Sequence, residues 1–137
     1  MDANAKQQIN ELLARSAYYL DQKDLPNLKG CFRDDAAFRL QIAGVEGVQE
    51  FVGIDAIMGL MSGALETQTD ERKHVVSNVW YQAEGDREAT VVSYLTLAAT
   101  ENGATNVITT GIYTDTVAAG DEGWLITDRN LFLDGAF

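Results

Sequence analysis

Along the first third of the chain, apolar side chains recur with a helical period. Ile9, Leu12, Leu13, Ser16, Ala17 and Leu20 fall at i, i+3, i+4, i+7, i+8 and i+11, which predicts a helix of about five turns with one buried face. Asp24 has the character of an N-cap and Pro26 is tolerated in a first turn, so Leu25, Leu28 and Phe32 predict a second, short helix. From Ala36 to Ile42 the period drops to two, with Phe38, Leu40 and Ile42 on one side and Arg39 and Gln41 on the other, which predicts a strand. Gly44, Gly47 and Gly53 punctuate the next stretch. Ile54, Ile57, Met58, Met61 and Leu65 then restore the helical period in a third helix, weakened by Gly59 and Gly63.

After residue 70 the chain changes character. Segments near 72–83, 87–100, 105–118 and 123–134 are rich in Val, Ile, Thr, Tyr and Trp. Glu84-Gly85-Asp86, Glu101-Asn102-Gly103 and Ala119-Gly120-Asp121-Glu122-Gly123 separate them and suit hairpins. Helices first and a four-strand meander afterwards predict an α+β fold, its N-terminal helices gathered on one face of a mainly antiparallel sheet. Strict alternation sets Val75 and Val79 against Val76 and Trp80, so both faces are apolar, and the face away from the helices is expected to meet another subunit.

Composition narrows the picture. The chain has 137 residues, 46% of them hydrophobic and 23% charged, which suits one folded domain spanning 1–137. Its single proline and lack of Ser/Gly-rich stretches leave no interdomain linker. Ten Lys and Arg against 21 Asp and Glu give a net charge of −11, which argues against a nucleic-acid partner. No apolar run approaches the roughly 20 residues that span a bilayer. The polar start, Met1 to Gln8, has neither the basic region nor the apolar core of a signal peptide, so a cytoplasmic protein is expected. A lone cysteine, Cys31, permits no intrachain disulfide and no thiolate metal cage.

Several chemistries find no motif. There is no phosphate-binding glycine loop and no H-E-x-x-H, and Gly59-Leu60-Met61-Ser62-Gly63 misses the spacing of a nucleophile elbow. With one histidine and one cysteine, no metal site is expected. The acidic pairs Asp34-Asp35 and Asp121-Glu122 fall in expected turns, where solvation accounts for them.

Three residues are unusually placed. Asp21 sits near the C-terminal end of the first helix, where the macrodipole disfavours an anion. His74, the only histidine, opens a strand and by alternation shares a face with Val76, Asn78 and Trp80. Arg129 lies mid-strand and by the same rule shares a face with Thr127 and Leu131. Each also has a plainer reading: a helix-ending residue bonded to loop amides, a hydrogen-bonded core histidine, and one half of a cross-strand ion pair.

The runs Ile9 to Asp24, His74 to Val79 and Gly123 to Asn130 together resemble the SnoaL-like branch of the nuclear transport factor 2-like superfamily, over nearly the whole chain. Within it the sequence is similar to scytalone dehydratase and hexachlorocyclohexane dehydrochlorinase, which use an Asp–His dyad. By position, Asp21 and His74 match that dyad, and Arg129 matches an arginine of the dehydrochlorinase pocket. The dehydrochlorinase lysine is replaced by Ser16, the dehydratase tyrosine before the aspartate by Leu20, and the second catalytic histidine of the dehydratase is missing. The resemblance implies a cone-shaped α+β barrel around an apolar pocket, and trimers rather than dimers as the homo-oligomer.

A carboxylate bonded to one imidazole nitrogen fixes the tautomer and stabilises the cation that forms when the other nitrogen takes a proton. An arginine across the pocket suits a leaving anion or an enolate. The resemblance therefore implies a cofactor-independent lyase or isomerase of dehydratase, dehydrohalogenase or cyclase type, acting on a small, mostly apolar substrate. Asp21, His74 and Arg129 are its candidate catalytic residues, with Tyr18, Tyr19 and Asn78 as candidate substrate-binding residues. Two alternatives stay open. Arg72 to Val79 also resembles the β subunits of ring-hydroxylating dioxygenases, which scaffold a larger partner, and a non-catalytic binder of hydrophobic ligands needs the same pocket.

Overall fold

The predicted first helix forms as α1 (Ala3–Asp21), with the Asp2 carboxylate accepting the Ala5 N–H at 2.8 Å as its N-cap. It buries Ile9, Leu12, Leu13 and Ser16. The computed structural model describes residues 1–137. After α1 come α2 (Leu25–Lys29), β1 (Phe32–Ile42), β2 (Gln49–Val52), α3 (Ile54–Thr67), β3 (Glu71–Glu84), β4 (Glu88–Glu101), β5 (Ala104–Gly120) and β6 (Gly123–Leu133). Asp24 caps α2 as expected, its carboxylate accepting the Asn27 N–H. The helix is shorter than expected, because Phe32 opens β1 instead of closing the helix. Its ring still joins the core from the strand.

The sheet has the order β2-β1-β6-β5-β4-β3. From β3 to β6 it is the expected antiparallel meander, while β1 inserts parallel to β6. The short edge strand β2 was not visible in the hydrophobic pattern, since Gln49, Glu50 and Val52 are exposed. Asp34 and Asp35 lie inside β1 at a break in its pairing with β6, and not in a turn. Asp121 and Glu122 occupy the expected hairpin turn. The sheet curves around the core without closing on itself, leaving β2 and β3 as edges. Helix α1 packs on β3 and β6, α3 packs on β1 and β2, and α2 bridges α1 and α3. The result is an α+β cone with its apolar core between helices and sheet.

Bulges decide which side chains look inward. In β3, Ser77 pairs with Tyr94 and Trp80 with Val92, so Asn78 and Val79 together oppose Ser93. Asn78 takes a φ of 55°, which asparagine tolerates better than most residues. The extra residue inverts the alternation. His74 and Val76 are followed inward by Val79 and Tyr81, while Asn78 and Trp80 are exposed, contrary to strict alternation. A second bulge in β6 lets Thr116 pair with Asp128 and Val117 with Ile126, leaving Thr127 as the extra residue. Arg129 therefore shares its inner face with Ile126 and Leu131, not with Thr127.

Where β5 meets β6, Gly111 faces Leu133, and a Cβ at this position would stand 2.5 Å from the Phe132 carbonyl oxygen. Backbone cannot yield as a side-chain tip can. Gly111→Ala is expected to destabilise the protein by about 1–3 kcal/mol, the usual range for overpacking, read from the midpoint of urea unfolding.

Candidate active site

Asp21 is the last residue of α1. Lys23 then adopts φ 59°, reversing the chain so that Asp24 can cap α2. An anion at a helix C-terminus is disfavoured by the macrodipole, and here three contacts from one residue offset that cost. The backbone N–H of His74 donates to both carboxylate oxygens, at 3.2 and 3.0 Å, and the imidazole Nδ1 stands 2.6 Å from Oδ1. The two side chains are 7% and 16% exposed, so the pair is largely shielded from water. An ionised carboxylate can only accept, which assigns the proton to Nδ1. The Nε2 lone pair is then left free at a wall that borders a cavity.

That cavity lies between the helices and the concave face of the sheet and offers water-sized groups about 110 Å³ of space. Most of its lining is apolar, including Leu20, Leu28, Phe38, Met61, Leu95 and Leu131. Its polar side chains are Ser16, Asp21, Gln68, Arg72, His74, Tyr113 and Arg129. The Ser16 hydroxyl is occupied by the Leu13 carbonyl, and Arg72 is paired with Asp70 at 2.8 Å. Asp21 and His74 also face a second groove between α1 and β3. The dyad thus stands in a partition with open space on both sides.

The structure brings the candidates together unevenly. Asp21, His74 and Arg129 all reach the main cavity. Tyr18 is 61% exposed and reaches only the outer groove. Tyr19 packs against the core from α1, and Asn78 is exposed at the bulge; neither lines the cavity or the groove. As the plainer reading of its strand foresaw, Arg129 is half of a cross-strand ion pair. Its Nε and Nη2 donate to the two carboxylate oxygens of Asp115 at 2.8 and 3.0 Å, with Asp115 fully buried. Burial alone would lower the Arg129 pKa, but the Asp115 carboxylate more than offsets this and raises it, so the guanidinium stays charged. Its cation also stands over the Tyr113 ring, 4.2 Å from the centroid.

Sequence reasoning passed over Tyr113 and Asp115. The usable signal was two unlike charges near the middle of adjacent hairpin strands, but counting from the Gly120–Gly123 turn sets Asp115 opposite Asp128. Only the bulge at Thr127 brings Arg129 into register. Burial pushes the Tyr113 hydroxyl up to about 12, with Arg129 opposing and the Asp115 and Asp21 carboxylates adding, so it remains a phenol at neutral pH. Burial likewise raises the Cys31 pKa against the pull of Arg15 and Arg129, which leaves an inert thiol. No group of three or more His, Cys, Asp or Glu side chains is arranged to hold a metal ion. No helix is long and apolar enough to cross a membrane.

N-terminal helices packed on a curved, unclosed, mainly antiparallel sheet make this an α+β cone of the nuclear transport factor 2-like fold. The sequence profile of the SnoaL-like domain matches residues 1–130, and the chain belongs to that family. No curated protein matches it. Among solved structures, a protein of unknown function with a cystatin-like fold from Nostoc punctiforme is 26% identical, with a TM-score of 0.81, covering 100% of this chain and 96% of its own. A Catenulispora acidiphila protein in complex with S-DNPA is 19% identical, with a TM-score of 0.82 and coverage of 96% and 95%. A protein described as the beta subunit of an aromatic-ring-hydroxylating dioxygenase from Novosphingobium aromaticivorans is 14% identical, with a TM-score of 0.83 and coverage of 97% and 91%. The last two likenesses concern the fold.

The buried pair makes a firm prediction. Asp115→Ala leaves the Arg129 charge without a partner and is expected to cost about 3–5 kcal/mol in urea unfolding. The double variant Asp115→Leu, Arg129→Met removes both charges and should recover most of that loss, because the desolvation penalty disappears with the attraction.

Proposed function

We propose that this SnoaL-like protein is a cofactor-independent lyase or isomerase that removes a proton from carbon in a small, mostly apolar substrate. One observation carries the reading: the 2.6 Å bond from His74 Nδ1 to Asp21, at a cavity wall where Nε2 has no partner within the chain. In this reading a C–H of the substrate faces Nε2. The proton passes to Nε2, and Asp21 stabilises the imidazolium that results. The electron pair left on carbon either expels a leaving group from the adjacent carbon or returns to a proton at a different carbon, which makes elimination and isomerisation variants of one first step. Arg129 contributes less directly than an arginine free to bind a leaving anion, since Asp115 already engages two of its nitrogens.

Proton abstraction can be tested before the natural substrate is known. Small aromatic carbon acids such as 2-tetralone and phenylnitromethane are incubated with the protein in D2O, and deuterium incorporation at carbon is followed by NMR. The expected outcome is exchange above the buffer rate with at least one of them, reduced about 10²–10⁴-fold in His74→Gln, the usual contribution of a general base. Equal exchange in the parent and in His74→Gln would reject the assignment.

A second reading has its own support. Val75, Trp80, Tyr94, Ile112 and Phe132 lie exposed on the outer face of the sheet, and one structural neighbour is described as the subunit of a larger enzyme. A scaffold subunit needs that face and needs neither Asp21 nor His74. In the enzyme reading the same face joins copies of this chain, a trimer before a dimer. Sedimentation at micromolar concentration is expected to return a trimer, and Trp80→Lys should shift it toward monomer by placing a charge in the apolar contact.

A further inference from the structure

Proton removal from carbon needs a place for the charge that develops, and neither Asp21 nor His74 supplies one. Tyr113 is 5% exposed, lines the same cavity as the dyad, and is clamped. Arg129 stands over its ring, and Asp115 holds Arg129 through two hydrogen bonds. The ring is therefore fixed, yet its hydroxyl enters none of the hydrogen bonds that hold the site together. Across β4 and β5, Ser93 pairs with Tyr113, and the Ser93 hydroxyl is buried without a partner. The Tyr113 hydroxyl has no partner in the chain and is not sealed off, so at the wall of an apolar cavity it is open to a polar atom from whatever fills that cavity. The Tyr113 group is a phenol held well away from ionisation by burial, which makes it a donor.

We propose that Tyr113 is a further catalytic residue, the hydrogen-bond donor that receives the oxygen of the substrate while His74 takes a proton from the neighbouring carbon. The inference rests on the function proposed above and specifies it: the substrate carries a carbonyl group next to the carbon that loses its proton. As the C–H bond breaks toward Nε2, its electron pair becomes the new C=C bond and the carbonyl π electrons move onto oxygen. The phenol stabilises that enolate and keeps its own proton. The return of the electron pair then reprotonates carbon or expels a leaving group, and the imidazolium supplies the proton required. Fixed donors at a developing oxyanion, in a site poor in water, stabilise it far more than the same donors in bulk water. Arg129 and Asp115 act through Tyr113 as positioning residues.

Binding separates this proposal from the identity of the base. The probes are 2-naphthol, whose oxygen sits on an aromatic frame as an enolate oxygen would, and naphthalene, which has no oxygen. Both are titrated by fluorescence into the parent protein and into Tyr113→Phe, a variant that keeps the ring under Arg129. The expected result is about tenfold weaker binding of 2-naphthol, the effect of one hydrogen bond, with naphthalene unchanged. Equal affinities in the two proteins for both ligands would overturn the proposal, leaving the hydroxyl to a water. An equal loss for both would overturn it too, since Tyr113 would then only shape the cavity. A selective loss for 2-naphthol, found together with unaltered deuterium exchange in His74→Gln, would keep the oxygen site and discard the base.

Discussion

A carboxylate at the wrong end of a helix organises this protein. Asp21 ends α1 where backbone carbonyls point at it, and nothing in α1 itself compensates. Compensation comes from His74, 53 positions later in the chain, through both its amide and its ring. That interaction couples three things which otherwise vary independently: where the helix stops, how it lies across β3, and which imidazole nitrogen carries the proton. The other end of α1 is fixed to the same strand. The Tyr81 hydroxyl bonds the Lys6 carbonyl at 3.0 Å and Asn10 at 2.8 Å, and Lys6 stands over the Tyr81 ring. A helix tethered at both ends to one edge strand makes a rigid wall, and the dyad is built into it.

The β5–β6 part of the cavity wall obeys the same rule by other means. Arg129 cannot sit in an apolar interior uncompensated, and Asp115 across the hairpin answers its charge. The pair adds little net stability over an apolar packing, because desolvation absorbs most of the attraction. Its value is positional. A guanidinium held at two nitrogens presents a fixed flat face, and the Tyr113 ring lies against it. On the outer surface, Arg39 spans Glu50 and Asp128 at 2.8 Å each, tying β2 and β6 to β1 where the sheet is parallel. These partly exposed pairs are weaker, and their role is in register more than in energy.

How far the sequence revealed this arrangement depends on the period that governed each element. Helix α1 was legible because five turns of a 3.6-residue period leave little freedom, and its buried residues Ile9, Leu12, Leu13 and Ser16 belong to the predicted stripe. The meander was legible because strands of 11 to 17 residues alternate with clear turn signals. Strand β2 was not, because four mostly exposed residues carry no periodic signal. Asp21 and His74 were found through their position and through resemblance, and the structure adds the contact between them. Asn78 was placed beside His74 by strict alternation and lies outside the cavity because one extra residue inverts the strand.

The bulges explain why the β5–β6 wall of the cavity was harder to read than the dyad. A bulge leaves almost no trace in composition, since a residue such as Asn78 or Thr127 is ordinary in an unbulged strand. Its consequence is large, because every side chain beyond it changes face. In β6 that change brings Arg129 opposite Asp115 instead of exposing it, and so creates the support on which Tyr113 rests. In β3 it turns Val79 toward the groove and Trp80 toward the outer face, apolar surface inside and apolar surface outside. The two bulges thus do related work in two strands that border the cavity. One fits the strand that bears His74 to α1, and the other aligns the pair that steadies the Tyr113 ring. How an imidazole and a phenol come to line one apolar space is consequently set by where two strands gain a residue, more than by any run of residues a motif would capture.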